Sequence, residues 1–192
     1  MRTLLVVGDD FFGRMLLRRL GPRPGLITAF DTSPTLTRAF RAVRRGSLKP
    51  RSLWGMALAG LGRRPPDVRA DCLVRDNAGL LEAIRDEAVE RVVLFRAGLI
   101  IDRTVLAEGI PVFNIHCARL ADFPGLGAIH RALTDGAYRQ AATLYRVTER
   151  IDDGEIVDTE PYHLDPASAY GANEAAAYEA GMRLAQRFLS EA

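Results

Sequence analysis

Apolar positions fall into short continuous runs separated by amphipathic stretches, and that alternation sets the fold class. Residues 3–7 carry no charge and stop at Gly8, as a strand buried on both faces does. Residues 11–20 then place apolar side chains at 11, 12, 15, 16, 17 and 20, one stripe of a helix, with Asp9 or Asp10 positioned to cap it. A Gly-Pro-rich break at 21–25 leads to a second strand at 26–30. Strand, helix, strand predicts parallel pairing, because the crossover returns the chain in the same direction.

The same logic reads most of the remaining chain. A short strand is expected at 70–74, then a helix at 78–87 with Asn77 as its cap, and a buried strand at 91–95. A helical turn at 102–107 precedes a strand at 112–115. After a loop at 124–127 comes a helix at 128–135, closed by Gly136. Residues 141–147 and 155–162 read as two strands, and 167–189 as a long amphipathic helix weakened at Gly171 and Gly181. Residues 34–69 are less regular, with helices expected at 34–45 and 52–61 and a break at 62–66. Between Arg38 and Arg69 this segment holds nine basic residues and one acid, Asp67, and reads as a solvated face. Trp54 inside it reads as an apolar anchor. No linker interrupts the pattern. The expectation is a single α/β domain over 1–192, Rossmann-like, with a mainly parallel central sheet flanked by helices.

Composition narrows the function classes. In 192 residues, 48% are apolar and the net charge is +2, which suits a globular chain with a real core and gives no general attraction to nucleic acid. The two cysteines, Cys72 and Cys117, form no CxxC, and no Cys/His cluster has metal-ligand spacing, so no metal is expected. Cys117 directly follows His116. Neighbours in a strand face opposite sides, so the thiol reads as buried and inert. No apolar run reaches 18 residues, and 1–7 is too short for a signal sequence; a cytoplasmic home without membrane contact is expected.

Candidate chemistry gathers in the second half. Asn114 and His116, at i and i+2, point to one side of an extended chain, and Asp152 follows in the turn Asp152-Asp153-Gly154. An amide and an imidazolium together form a donor pair for a developing oxyanion. A carboxylate near the imidazole would keep it protonated or fix its tautomer. Adjacent acids before a glycine usually make an exposed turn, a reading open to both Asp152 and Asp153 from the residues alone.

These pieces resemble the folate-dependent formyltransferases, which include glycinamide ribonucleotide, methionyl-tRNA and amino-sugar enzymes. The family carries Asn-x-His after a buried strand, a Leu-Pro-x-Tyr-x-Gly-like loop, and a Thr-x-His-x-Val segment followed by Asp-x-Gly. Here they stand as Asn114-Ile115-His116, Leu120-Ala121-Asp122-Phe123-Pro124-Gly125, Thr143-Leu144-Tyr145-Arg146-Val147 and Asp152-Asp153-Gly154. The close likeness covers about residues 90–160. Ala121 replaces a Pro, Pro124 a common basic residue, Ala142 a Gly, and Tyr145 a frequent His.

The resemblance implies that Asn114, His116 and Asp152 are catalytic and that 10-formyltetrahydrofolate is the formyl donor. It implies a folate wall at Leu99, Ile100 and Ile101, closed on the other side by the loop holding Thr148 and Ile151. The implied activity moves the formyl group to a primary amine of a small molecule, such as an amino sugar, an amino acid or a natural-product intermediate. A formyltetrahydrofolate hydrolase and a non-catalytic folate-binding or scaffold homologue are the alternatives. Hydrolases of this family carry an N-terminal regulatory domain, and the methionyl-tRNA enzymes a C-terminal nucleic-acid-binding one; neither is visible in 1–192, so water and tRNA are not the expected acceptors. Gly8 and Gly13 alone, with Asp9 and Asp10 between them, do not make the Gly-rich phosphate loop of the purine-pathway members. The pattern leaves the oligomeric state open.

Overall fold

The computed structural model describes residues 1–33 and 63–190. The helices expected at 34–45 and 52–61, and Trp54, lie outside the described residues. Among the described residues the chain order is β1 (Thr3–Gly8), α1 (Phe11–Leu20), β2 (Leu26–Asp31), β3 (Cys72–Val74), α2 (Asn77–Asp86), β4 (Arg91–Phe95), α3 (Arg103–Leu106), β5 (Val112–His116), α4 (Ala128–Thr134), β6 (Arg139–Arg146), β7 (Ile156–His163) and α5 (Tyr170–Ser190). The described strands form one seven-stranded sheet in the order β3-β2-β1-β4-β5-β6-β7. Its first five strands pair in parallel, while β6 and β7 run antiparallel. The expected α/β class and mainly parallel sheet are what the chain adopts.

Both faces are apolar where the sheet is parallel, which explains why β1 and β4 are continuous buried runs. On one face Phe12, Leu16 and Leu20 of α1 and Ala177, Ala180 and Leu184 of α5 pack over Leu5, Val7, Val93, Phe95 and Ile115. On the other, Leu80 and Ile84 of α2 and Val105 of α3 cover Leu4, Val6, Val92, Leu94 and Val112. Gly181, which the sequence marks as a weak spot, is where α5 lies close against β4 and the end of β5. A Cβ there would stand 2.6 Å from Cys117 Sγ, so a helix-propensity loss is exchanged for close packing.

The caps refine the sequence reading. Asp10 is the one that caps α1, accepting from Phe12 and Gly13 amides at 3.0 Å each. Asp76, not Asn77, caps α2, through Gly79 N at 3.0 Å. Asn77 instead reaches across to the loop after β4. Its amide donates to Ile100 O at 3.0 Å, and its Oδ1 accepts from Asp102 N at 3.3 Å. Among the described residues no helix is long and apolar enough to cross a membrane.

Candidate active site

Strand alternation decides where the polar residues of β5 go. Val112 packs into the cluster under α2 and α3, and Ile115 and Cys117 into the one under α5. Asn114 and His116 therefore face the α2/α3 side. In β6, Ala142 and Leu144 face α5, which turns Tyr145 to the same side as Asn114. Antiparallel register sets Asn114 opposite Tyr145 and His116 opposite Thr143. Over β5 and β6 this face thus carries an amide, an imidazole and a phenol where its neighbours carry aliphatic side chains.

The Asp152 loop closes on these groups. Asn114 Nδ2 donates to Tyr145 Oη at 2.8 Å, and Tyr145 Oη donates to Asp152 Oδ1 at 2.5 Å. The second carboxylate oxygen, Oδ2, accepts from Gly125 N at 2.5 Å. His116 Nε2 lies 2.7 Å from Phe123 O; a carbonyl can only accept, so Nε2 carries the proton. The loop that contains Phe123 and Gly125 is thereby tied to both the imidazole and the carboxylate. Arg131 braces it, donating to Leu126 O at 2.6 Å and to Pro124 O.

Local backbone geometry explains the Asp-x-Gly spacing. Asp152 has φ +55°, a left-handed conformation that an L residue adopts at some cost and that recurs at functional sites. At Gly154 a Cβ would lie 1.6 Å from Arg146 O and 3.1 Å from the Tyr145 ring, so only glycine lets the chain recross β6 here. A register shift between Leu144 and Tyr145 marks a bulge, a feature that re-aims a side chain next to a site.

Electrostatics correct one expectation. Burial pushes the His116 pKa below its ordinary value, and the Asp152 charge only partly opposes this. Asp152 binds Tyr145 and Gly125 through its two oxygens and has no hydrogen bond to the ring, so burial disfavours the protonated imidazole, one of the two outcomes that a nearby carboxylate suggested. Burial first, then the bond to Asp152, raises the Tyr145 pKa, which keeps the phenol protonated and donating. Burial pushes the Cys117 thiol up to about 12, as an inert cysteine requires. Asp153 is exposed and, among the described residues, pairs with Arg150, at 3.4 Å.

The loops around this constellation are apolar at their tips. Ile100 (52% exposed), Leu126 (44%) and Ile151 (63%) sit on three different loops. Arg103 and Glu149, at 2.9 Å, join the start of α3 to the Asp152 loop. Leu99 is half-buried, but Ile101 (8% exposed) turns into the core beside Val105. Of the three expected wall residues, Ile101 is thus a core side chain. Thr148 is exposed and shapes its own loop, accepting from Arg150 N and donating to Arg150 O, both at 3.3 Å. Sequence reasoning missed two residues. Tyr145 drew notice only as a departure, although antiparallel pairing of its strand with β5 would have set it beside Asn114. Asp31, at the end of β2, accepts from Leu99 N at 3.0 Å and from Gly98 N.

A formyl transferase family model matches residues 72–185, from β3 into α5 and through every loop of this site. Methionyl-tRNA formyltransferase of Methylibium petroleiphilum is 32% identical over 161 residues, covering 80% of this chain and 49% of that protein. The Fervidobacterium nodosum methionyl-tRNA formyltransferase is 25% identical over 87 residues, covering 45% of this chain and 28% of its own length. The chain therefore spans half or less of the length of these curated relatives. Phosphoribosylglycinamide formyltransferase from Streptococcus pneumoniae shares the fold across 100% of this chain and 98% of its own, at TM-score 0.63 and 20% identity. A sugar N-formyltransferase from a Shewanella species does so across 100% and 69%, at TM-score 0.64 and 14% identity. With more than half of the residues matched, and the match running through Asn114, His116 and Asp152, the chain belongs to the formyl transferase family.

Proposed function

We propose that this protein transfers a formyl group from 10-formyltetrahydrofolate to a primary amine of a small molecule. The observation that carries the reading is the linked set of Asn114, Tyr145 and Asp152, with His116 two residues along the same strand face. The apolar tips Ile100, Leu126 and Ile151 fit a flat, largely apolar ring system with a few polar groups at its edge. The folate supplies an activated formyl carbon; the protein supplies orientation, charge and proton transfer.

In this reading the amine lone pair attacks the formyl carbon and the carbonyl electrons move to oxygen. Asn114 donates a hydrogen bond to that oxygen. Neutral His116 takes the proton released by the amine, and the resulting imidazolium is stabilised by the charge of Asp152. The same proton passes to the leaving nitrogen as its bond to carbon breaks. Loss of one oxyanion donor typically costs about 3 kcal/mol, or ~100-fold in rate.

Asp10 supports a small acceptor without a phosphate at the α1 terminus. That helix end already holds a carboxylate, clamped by Arg96 with Nη2 to Oδ2 at 2.6 Å. The test is formyl release from 10-formyltetrahydrofolate with a panel of small amines, with charged tRNA, and with water alone. Amine-dependent release supports the proposal. Release in water alone identifies a hydrolase, formylated aminoacyl-tRNA identifies a different acceptor, and folate binding without release identifies a scaffold.

A further inference from the structure

We propose that Tyr145 is the positioning residue of this site, its hydroxyl fixing the Asn114 amide and the Asp152 carboxylate in one geometry. The inference rests on the transfer reading above and deepens it. The hydroxyl has one proton and spends it on Asp152 Oδ1 at 2.5 Å; its lone pair accepts from Asn114 Nδ2 at 2.8 Å. An amide has two N–H bonds on one nitrogen. With one bonded to Tyr145, the amide plane is set and the second N–H keeps a single direction. A carboxylate bound through each oxygen, to Tyr145 and to Gly125 N, is likewise held against rotation.

The surroundings lock the phenol in turn. Tyr145 is 3% exposed, sits at the β6 bulge, and has Gly154 against its ring edge. Its position opposite Asn114 comes from sheet register and not from a mobile loop. It therefore transmits the rigidity of the sheet to the Asp152 loop, whose left-handed backbone at Asp152 needs such support. A buried network of this kind holds geometry only when every member is satisfied, and removing one hydroxyl leaves Asn114 and Asp152 each short of a partner.

The experiment compares wild type with Tyr145→Phe, which keeps the ring and removes the oxygen, and with Tyr145→His, which returns a hydrogen-bonding nitrogen. Hydroxylamine serves as the amine probe, 10-formyltetrahydrofolate as donor, and 5-formyltetrahydrofolate as a non-transferring ligand. The expected result for Tyr145→Phe is a fall in kcat of at least tenfold, with donor KM and 5-formyltetrahydrofolate affinity within about threefold, and partial recovery of kcat in Tyr145→His. Amide hydrogen exchange at Gly125 and across 150–154 is expected to speed up in Tyr145→Phe. A Tyr145→Phe protein with kcat within twofold of wild type and unchanged exchange overturns the proposal. A fall in donor affinity equal to the fall in kcat also overturns it, since that marks a pocket wall. If wild type itself yields no formyl product with any acceptor, the transfer reading fails, and the positioning role is decided by exchange alone. Faster exchange at 150–154 then supports it, and unchanged exchange overturns it.

Discussion

Asp10 and Asp152 both lie in loops that follow a strand, and both accept backbone amides, yet their charges are answered differently. Asp10 caps α1 and faces a guanidinium, with Arg96 Nε at 2.8 and 3.0 Å from its two oxygens. Arg96 is itself laid over the Tyr178 ring, 3.9 Å from its centroid. Among the described residues, the hydrogen bonds to Asp152 come from neutral donors, a phenol and an amide. A carboxylate matched by a bidentate cation has its charge committed to holding structure. One held by neutral hydrogen-bond donors is just as fixed in space, but its field still reaches outward, to His116 and to the Arg131 guanidinium. Geometry alone does not separate the two acids; the sign of their partners does.

The comparison breaks most visibly in kinetics. Asp152→Asn keeps the shape and removes the charge, and is expected to lower kcat about 100-fold while 5-formyltetrahydrofolate binding changes by less than about threefold. Asp10→Asn in the same assay is expected to stay within about fivefold of wild type. Equal losses from the two changes would erase the distinction. Stability should rank them the other way. Asp10→Ala removes a helix cap and leaves Arg96 unpaired, a loss of about 2 kcal/mol. That corresponds to a Tm lower by about 4–8 °C for a domain of this size. Asp152→Asn is expected to shift Tm by less than half as much in the same melts.

A smaller effect lies in pH. The folded-state pKa of His116 is below its ordinary 6.5, so below that pH the unfolded chain binds a proton that the folded chain resists. This contribution to stability is complete above about pH 6.5 and is lost as pH falls through the folded-state value. Urea unfolding of His116→Gln at pH 7, 6 and 5 is expected to show a shallower loss of stability than wild type. A steeper loss would mean that the imidazole is held charged. The smallest effect is Asp153→Ala, expected to leave kcat within twofold, because its side chain is exposed and its ion pair is with the exposed Arg150. A loss matching that of Asp152→Asn would move the catalytic charge to Asp153.

What the sequence disclosed follows the reach of each interaction. β1 and β4 were legible because burial on both faces writes itself as an unbroken apolar run. Asn114 and His116 were legible because a strand places i and i+2 together whatever surrounds it. Tyr145 was not, because its partner is 31 residues away and is fixed only by antiparallel register and a bulge. Nor was the lowered pKa of His116, since burial is set by tertiary packing and the carboxylate alone suggested the opposite shift. The Asn77 reading failed for a related reason: either of two adjacent cap-forming residues could begin α2, and the loop after β4 claimed Asn77's side chain.

That loop carries a last consequence. Asp31 from the end of β2 grips the amides of Gly98 and Leu99, and Asn77 grips the carbonyl of Ile100 and the amide of Asp102. Ordering a free backbone costs roughly 1–2 kcal/mol per residue. Here that entropy has been surrendered during folding, so a ligand bound at residues 98–102, as proposed above, would meet a surface already in its final shape. Affinity lost on loosening either clamp would then come from the free protein sampling more conformations, with every direct contact in the bound state intact.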